Sequence, residues 1–151
     1  FEGATINWIA RLAQGPIYGF DSFEGLPESW RPGFDAGRFR VKRLPWVRPN
    51  VRLIKGWFSD TIPPFALEHP EPIGFLHVDC DLYSSTRTIF EGLSPRLRPG
   101  SVIVFDEFLN YPGWQQGEYQ AFMEWVRARG IRFEYLGFCH SSQQVAVRIT
   151  G

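Results

Sequence analysis

Short apolar runs rich in Val, Ile, Phe and Tyr recur along this chain, each bounded by Gly, Pro or Asp, with amphipathic stretches between several of them. Runs of that length bounded by turn residues read as strands, and the amphipathic stretches as helices. The alternation predicts an α/β fold.

Ile6, Ile9, Ala10 and Ala13 fall at helical spacing over 4–14, and Gly15-Pro16 ends the pattern. A strand over 17–22 follows. The stretch 23–49, punctuated by Pro27, Pro32, Pro45, Pro49 and three glycines, reads as a long loop, a feature that in a small domain is usually functional or mobile. Strand 51–56 and a short helix over 61–69 come next, with Pro63 and Pro64 expected in its first turn. Residues 73–79 form a nearly unbroken apolar run, the pattern of a strand covered on both faces. A crossover helix over 84–97, a turn at Arg98-Pro99-Gly100 and a second buried strand over 102–105 complete that unit. A helix over 117–129, with Tyr119, Phe122, Met123 and Val126 as its apolar stripe, is closed by Gly130. Strands 132–138 and 144–149 read as a terminal antiparallel hairpin.

Four of these strands run into residues that do not belong in a core: Asp21, Gly56, Asp79 with Asp81, and Asp106 with Glu107. In an open parallel sheet the carboxyl ends of the strands form the ligand-binding edge. Asp79, Asp81, Asp106 and Glu107 cannot all stay ionised side by side without a cation, and hard oxygen donors suit Mg²⁺, Ca²⁺ or Mn²⁺ rather than zinc. The plainer alternative is that each acid caps a helix. Asp21, followed by Ser22, suits a group that takes both hydroxyls of a ribose, and Gly3 before Ala4-Thr5 suits a close-approach turn. His77, inside an apolar strand, reads as a core histidine.

The 151 residues suffice for one domain, 1–151, with a core. At 44% hydrophobic and 21% charged the composition is globular, and a 17% aromatic share calls for rings lining a core or pocket. Sixteen basic residues cancel sixteen acidic ones, which gives no electrostatic case for nucleic acid or an anionic membrane. Cys80 and Cys139 stand apart from any metal-finger spacing and read as buried free thiols. With no membrane-length apolar run and no secretory start, the expected location is cytoplasmic; homo-oligomerisation stays open.

Read in order, Phe-Glu-Gly-Ala-Thr (1–5), Tyr-Gly-Phe-Asp-Ser-Phe-Glu-Gly-Leu-Pro (18–27), Gly-Trp-Phe-Ser-Asp-Thr (56–61), His-Val-Asp-Cys-Asp-Leu-Tyr-Ser-Ser-Thr (77–86) and Val-Phe-Asp-Glu-Phe (104–108) resemble the macrocin O-methyltransferase family. The resemblance implies a Rossmann-like three-layer α/β/α sheet, mostly parallel, with a C-terminal antiparallel hairpin. It implies S-adenosyl-L-methionine (SAM) and Mg²⁺, or another hard divalent cation, and a small-molecule hydroxyl as acceptor, often on the sugar of a natural product. By motif position Asp79, Asp106 and Glu107 look like metal ligands and Asp81 like the general base. Gly3 and Thr5 look like the tail of the SAM loop, Asp21 and Ser22 the ribose site, and Gly56, Trp57 and Phe58 the turn beside the adenine; Trp57 and Phe58 also suit core positions. Glu107 departs from the family's commoner aspartate, and the loop 110–114 is expected to shape the acceptor pocket. The family's first strand, which lies between the strands ending at Asp21 and Asp79, has no counterpart here, so the chain reads as N-terminally truncated. Two alternatives remain open on the sequence: a metal-dependent glycosyltransferase using Asp79-x-Asp81, and an inactive fragment serving as an interaction module.

Overall fold

The apolar stripe near the start of the chain folds as helix α1 (Ala4–Leu12). Ala10 is buried and Ile6 and Ile9 half-buried, while Ala13 has already turned extended as the helix cap. The computed structural model describes residues 2–151 and separates into two units, one up to Thr61 and one from Ile62.

In the first unit, β1 (Ile17–Asp21) and β2 (Val51–Lys55) pair in parallel, from Ile17 opposite Val51 to Asp21 opposite Lys55. Residues 22–50 between them lack regular helix or strand, as expected, yet carry their own bonding. Leu26 N–H donates to Arg38 O at 2.9 Å, and Gly37 N–H returns to Leu26 O at 2.8 Å. Gly25 has φ 83°, and a Cβ there would collide with the carbonyls of Gly37 and Arg38. That glycine is therefore dictated by the turn itself. Trp30 packs edge-on against Phe34 with centroids 5.3 Å apart, and the Arg31 guanidinium lies 3.8 Å from the Trp30 ring centroid.

Helix α2 (Phe58–Glu68) starts three residues earlier than expected, so Pro63 and Pro64 fall in its second turn rather than its first. Their missing N–H groups leave the carbonyls of Ser59 and Asp60 without helical donors. The opening turn is reinforced instead by the Thr61 hydroxyl, which donates to Trp57 O at 2.9 Å.

The second unit holds a four-stranded sheet ordered β3-β4-β6-β5. Strands β3 (Ile73–Val78) and β4 (Leu97–Phe105) are parallel; β6 (Val145–Ile149) runs antiparallel to β4 and to β5 (Phe133–Phe138), forming the expected hairpin. Strand β3 is less covered than its apolar run predicts. Gly74 and Phe75 are exposed, Ile73, Leu76 and His77 half-buried, and Val78 alone buried, because β3 is the edge strand of this sheet. His77 is accordingly not a core histidine. Central β4 alternates cleanly, with Ser101, Ile103 and Phe105 buried.

The expected turn at Arg98-Pro99-Gly100 is instead a bulge within β4, where the register skips between Ile73 and Phe75. Pro99 cannot donate to a ladder and Gly100 adopts φ 98°. Ser101 closes the irregularity: its hydroxyl donates to Ile73 O at 2.6 Å and accepts Arg98 N–H at 2.9 Å.

Helices α3 (Tyr83–Leu93) and α4 (Glu118–Arg129) supply the core of this unit. Phe90 stacks on Trp125 with centroids 4.7 Å apart, Phe105 meets Phe122 edge-on at 5.1 Å, and the Trp125 indole N–H donates to Ser94 Oγ at 2.7 Å. Burial of each such ring stabilises the fold by about 1.5–3 kcal/mol. The buried stripe of α4 is Glu118, Ala121, Phe122, Trp125 and Val126, rotated from the expected one so that Tyr119 and Met123 are half-buried. Gly130 ends the helix at φ 64°.

Both cysteines are free, but Cys139, beside the hairpin loop, is exposed rather than buried; Cys80 is half-buried. Among the described residues no helix is long and apolar enough to cross a membrane.

Candidate active site

The candidate residues of the first unit sit at its strand ends and helix starts. Gly3 precedes α1 with φ 84°, and a Cβ there would lie 3.0 Å from Pro45 Cβ and 3.3 Å from Trp46 O. The backbone thus needs glycine at Gly3 for its turn and its packing, with or without a ligand. Thr5, in the first turn of α1, is exposed. Asp21 ends β1; its Oδ1 accepts Phe23 N–H at 2.7 Å, an Asx-turn, and its carbonyl accepts Gly56 N–H at 3.0 Å. The structure therefore brings Asp21 and Gly56 together. Ser22 is buried and its hydroxyl is engaged locally, accepting Glu24 N–H at 3.1 Å and donating to Gly25 O at 3.5 Å. Gly56 adopts φ 146°, where a Cβ would press on Thr61 Cγ2 at 2.8 Å. Trp57 is exposed just ahead of α2 and Phe58 half-buried at its first residue.

In the second unit Asp79, Asp106 and Glu107 follow β3 and β4, and each offers a carboxylate oxygen within 4.8 Å of the others. Parallel pairing does this: Asp106 N–H donates to Val78 O at 2.9 Å, so the two strand ends emerge side by side. Gln144, on the hairpin loop, donates to Asp106 Oδ1 at 3.0 Å. Glu107 Oε2 is buried and has no hydrogen-bond partner. Burial, followed by the charges of Glu118, Asp81 and Asp106, pushes the Glu107 carboxyl up to about 10.

Asp81 is buried and holds φ 64°, unusual for a residue with a side chain. Leu82 N–H donates to Cys80 O across it at 2.6 Å, so Asp81 is the centre of a tight three-residue γ-turn. Backbone strain of this kind persists where surrounding structure enforces it, and it concentrates at functional sites.

Sequence reasoning passed over Glu118. This first residue of α4 is fully buried, and burial pushes its carboxyl up to about 8. Burial and the charge of Glu118 also hold the Cys80 thiol well above its ordinary value, so it stays protonated. The signal that finds Glu118 is positional: it shares the α4 stripe with Phe122, Trp125 and Val126, at spacings of four, seven and eight, an acid on an apolar face.

Residues 1–108 match a family described as a methyltransferase domain, and the chain belongs to that family. Its relatives make the relation more particular. It is 33% identical to the 8-demethyl-8-(2,3-dimethoxy-alpha-L-rhamnosyl)-tetracenomycin-C 4'-O-methyltransferase of Streptomyces olivaceus, over 58% of this chain and 40% of that protein. It superposes on CalS11, a calicheamicin methyltransferase, with a TM-score of 0.69 at 26% identity, covering 88% of this chain and 60% of that one. The same fold is seen at TM-score 0.55 and 16% identity in MycE, a mycinamycin-pathway methyltransferase solved with Mg and SAH, over 94% of this chain and 47% of that one. The architecture is thus that of Rossmann-like class I methyltransferases. The chain spans about two fifths of the length of the first curated relatives it matches.

Proposed function

We propose that this chain forms the catalytic core of a SAM-dependent, divalent-cation-assisted O-methyltransferase of the macrocin type, acting on a hydroxyl of a sugar or other natural product. The observation that carries the reading is the acid edge of β3 and β4, with three converging carboxylates and an unpartnered, buried Glu107 oxygen. Asp79 is exposed and Asp106 and Glu107 are half-buried, so an ion has access to them, and the donor set is all oxygen, which fits Mg²⁺ or a similar hard cation. Family membership favours methyl transfer over the glycosyl transfer that Asp79-x-Asp81 alone leaves open.

In this reading Asp79, Asp106 and Glu107 hold the cation, and Asp21 and the Gly56-Trp57-Phe58 turn hold the adenosine portion of SAM. When bound, SAM supplies the methyl group and the cation supplies positive charge beside the acceptor oxygen. Asp81, fixed by its γ-turn, accepts the hydroxyl proton as general base. Gln144 keeps the Asp106 carboxylate oriented through its 3.0 Å bond.

The test is transfer of a tritiated methyl group from SAM to rhamnosylated natural-product acceptors, with Mg²⁺ and with EDTA, alongside calorimetric titration of SAM into the protein. SAM binding with Mg²⁺-dependent labelling of a hydroxyl is expected. Stabilisation by a uridine diphosphate sugar with Mn²⁺, and none by SAM, overturns the reading.

A further inference from the structure

Glu118 is the most deeply buried acid in the described structure, with no exposed surface, and no cationic side chain pairs with it. Its two carboxylate oxygens go to two different places. Oε1 accepts the backbone N–H of Cys80 at 3.3 Å, and Oε2 accepts the backbone N–H of Glu107 at 3.3 Å. Cys80 lies between Asp79 and Asp81 on the segment leaving β3, and Glu107 follows Asp106 on the segment leaving β4. The Cys80 sulfur also lies 3.9 Å from Oε1 and 3.3 Å from Thr86 Oγ1. One carboxylate thus spans the backbones of both segments that carry the candidate cation ligands and the candidate base.

We infer that Glu118 is a positioning residue: a two-oxygen clamp that sets the separation of the Asp79–Asp81 and Asp106–Glu107 segments, so that their side chains converge on a cation. This inference rests on the cation-assisted reading of the site. The physical need is for two acceptors on one rigid planar group, because two backbone N–H donors face it. Each bond is long for N–H···O, so the clamp works through direction and pairing rather than through one strong contact. The clamp is the ionised carboxylate, the form a bound cation favours; glutamine has the same shape but only one acceptor oxygen, and would set its NH₂ against one of the two N–H groups. A residue retained only for packing would be better served by an apolar side chain, since an uncompensated buried carboxylate costs stability. Its place at the α4 N-terminus, where the helix dipole favours negative charge, offsets part of that cost.

The experiment compares Mn²⁺ binding, read from the free-ion electron paramagnetic resonance signal, in wild type and Glu118→Gln, with metal-free thermal unfolding of both. The expected result is an Mn²⁺ Kd about ten- to a hundredfold weaker in the variant, the range seen when partners behind metal ligands are lost, with a metal-free melting midpoint unchanged or raised. A lowered midpoint with unchanged Mn²⁺ affinity shows a merely structural role and overturns the inference while leaving the cation reading intact. Absence of Mn²⁺ binding in wild type overturns the cation reading and this inference with it. Amide hydrogen exchange on the wild-type protein gives a measurement that needs no variant to fold. Protection of both the Cys80 and Glu107 amides supports the clamp, and free exchange of either removes it.

Discussion

Two acid-bearing strand ends of this chain look alike in sequence and differ in how their polar atoms are satisfied. At the end of β1, Asp21 closes an Asx-turn on Phe23 and Ser22 is occupied by the turn that follows. Gly3, Gly25 and Gly56 all hold backbone conformations that favour glycine. Every one of these residues has a local reason to be what it is. At the ends of β3 and β4 the balance differs among the described residues: Glu107 leaves an oxygen buried and unpartnered, Asp81 holds a positive-φ backbone, and Glu118 is fully buried with only neutral donors on its two oxygens. A motif whose parts are explained by the fold says little by itself about ligands; a cluster in which a buried acid keeps an oxygen without a donor is the place to test for one.

The sharpest way to break this contrast is Asp81→Asn. The variant keeps size and tolerance of the left-handed conformation, so the γ-turn should survive. What it loses is the ability to take a proton. Turnover in the methyl-transfer assay should fall about 10²- to 10⁴-fold, the usual contribution of a general base, with SAM affinity by calorimetry unchanged. Retained turnover would remove Asp81 from its proposed role.

The difference between the regions also governs what was legible in the sequence. Asp79, Asp81, Asp106 and Glu107 stand out because they follow apolar runs, and a charged side chain at the end of such a run is visible without a structure. Glu118 and Gln144 were not legible in that way. Glu118 hides at a helix start, where acids are ordinary, and becomes conspicuous only once the buried stripe of α4 is centred on Ala121 and Trp125 rather than on Tyr119 and Met123. Gln144 acts from a hairpin loop 38 residues beyond Asp106 and nothing local marks it. The other misses are boundary effects. The prolines of α2 misled because a helix whose first turn is held by Thr61 tolerates their missing donors one turn later, and the Arg98-Pro99-Gly100 turn signal was absorbed into a bulge by Ser101. The exposure of β3 follows from its place in the sheet, which no local pattern records.

Asp21→Asn sharpens the comparison from the other side. Asparagine keeps Oδ1 and therefore the Asx-turn to Phe23, so the melting midpoint should hold to within about 0.5 kcal/mol of stability. If the carboxylate also receives ribose hydroxyls, the variant loses charge-assisted hydrogen bonds worth about 1.5–3 kcal/mol. SAM should then bind about 10- to 100-fold more weakly by calorimetry. An unchanged Kd would mean that Asp21 serves the turn alone, and the first region would contribute nothing through this residue.

The smallest expected effect is a pH dependence confined to the second region. The folded state holds the Glu107 and Glu118 carboxyls up to about 10 and about 8, above their ordinary 4.5, so it keeps protons that the unfolded chain gives up. The sign follows from that difference. Any stability these groups lend the cation-free fold is fully present below about pH 4.5 and is lost as pH rises through about 8 and then about 10. A divalent cation reverses the balance by favouring the ionised forms, and its binding releases protons. Mg²⁺ should therefore raise the thermal midpoint more at pH 8.5 than at pH 6, where protons compete for the same oxygens; each kcal/mol corresponds to about 2–4 °C in a chain of this size. Differential scanning calorimetry in EDTA and in Mg²⁺ at the two pH values reads both shifts. A Mg²⁺ shift equal at the two would show that the acids of the second region are compensated in some other way, and the contrast between the two strand ends would disappear.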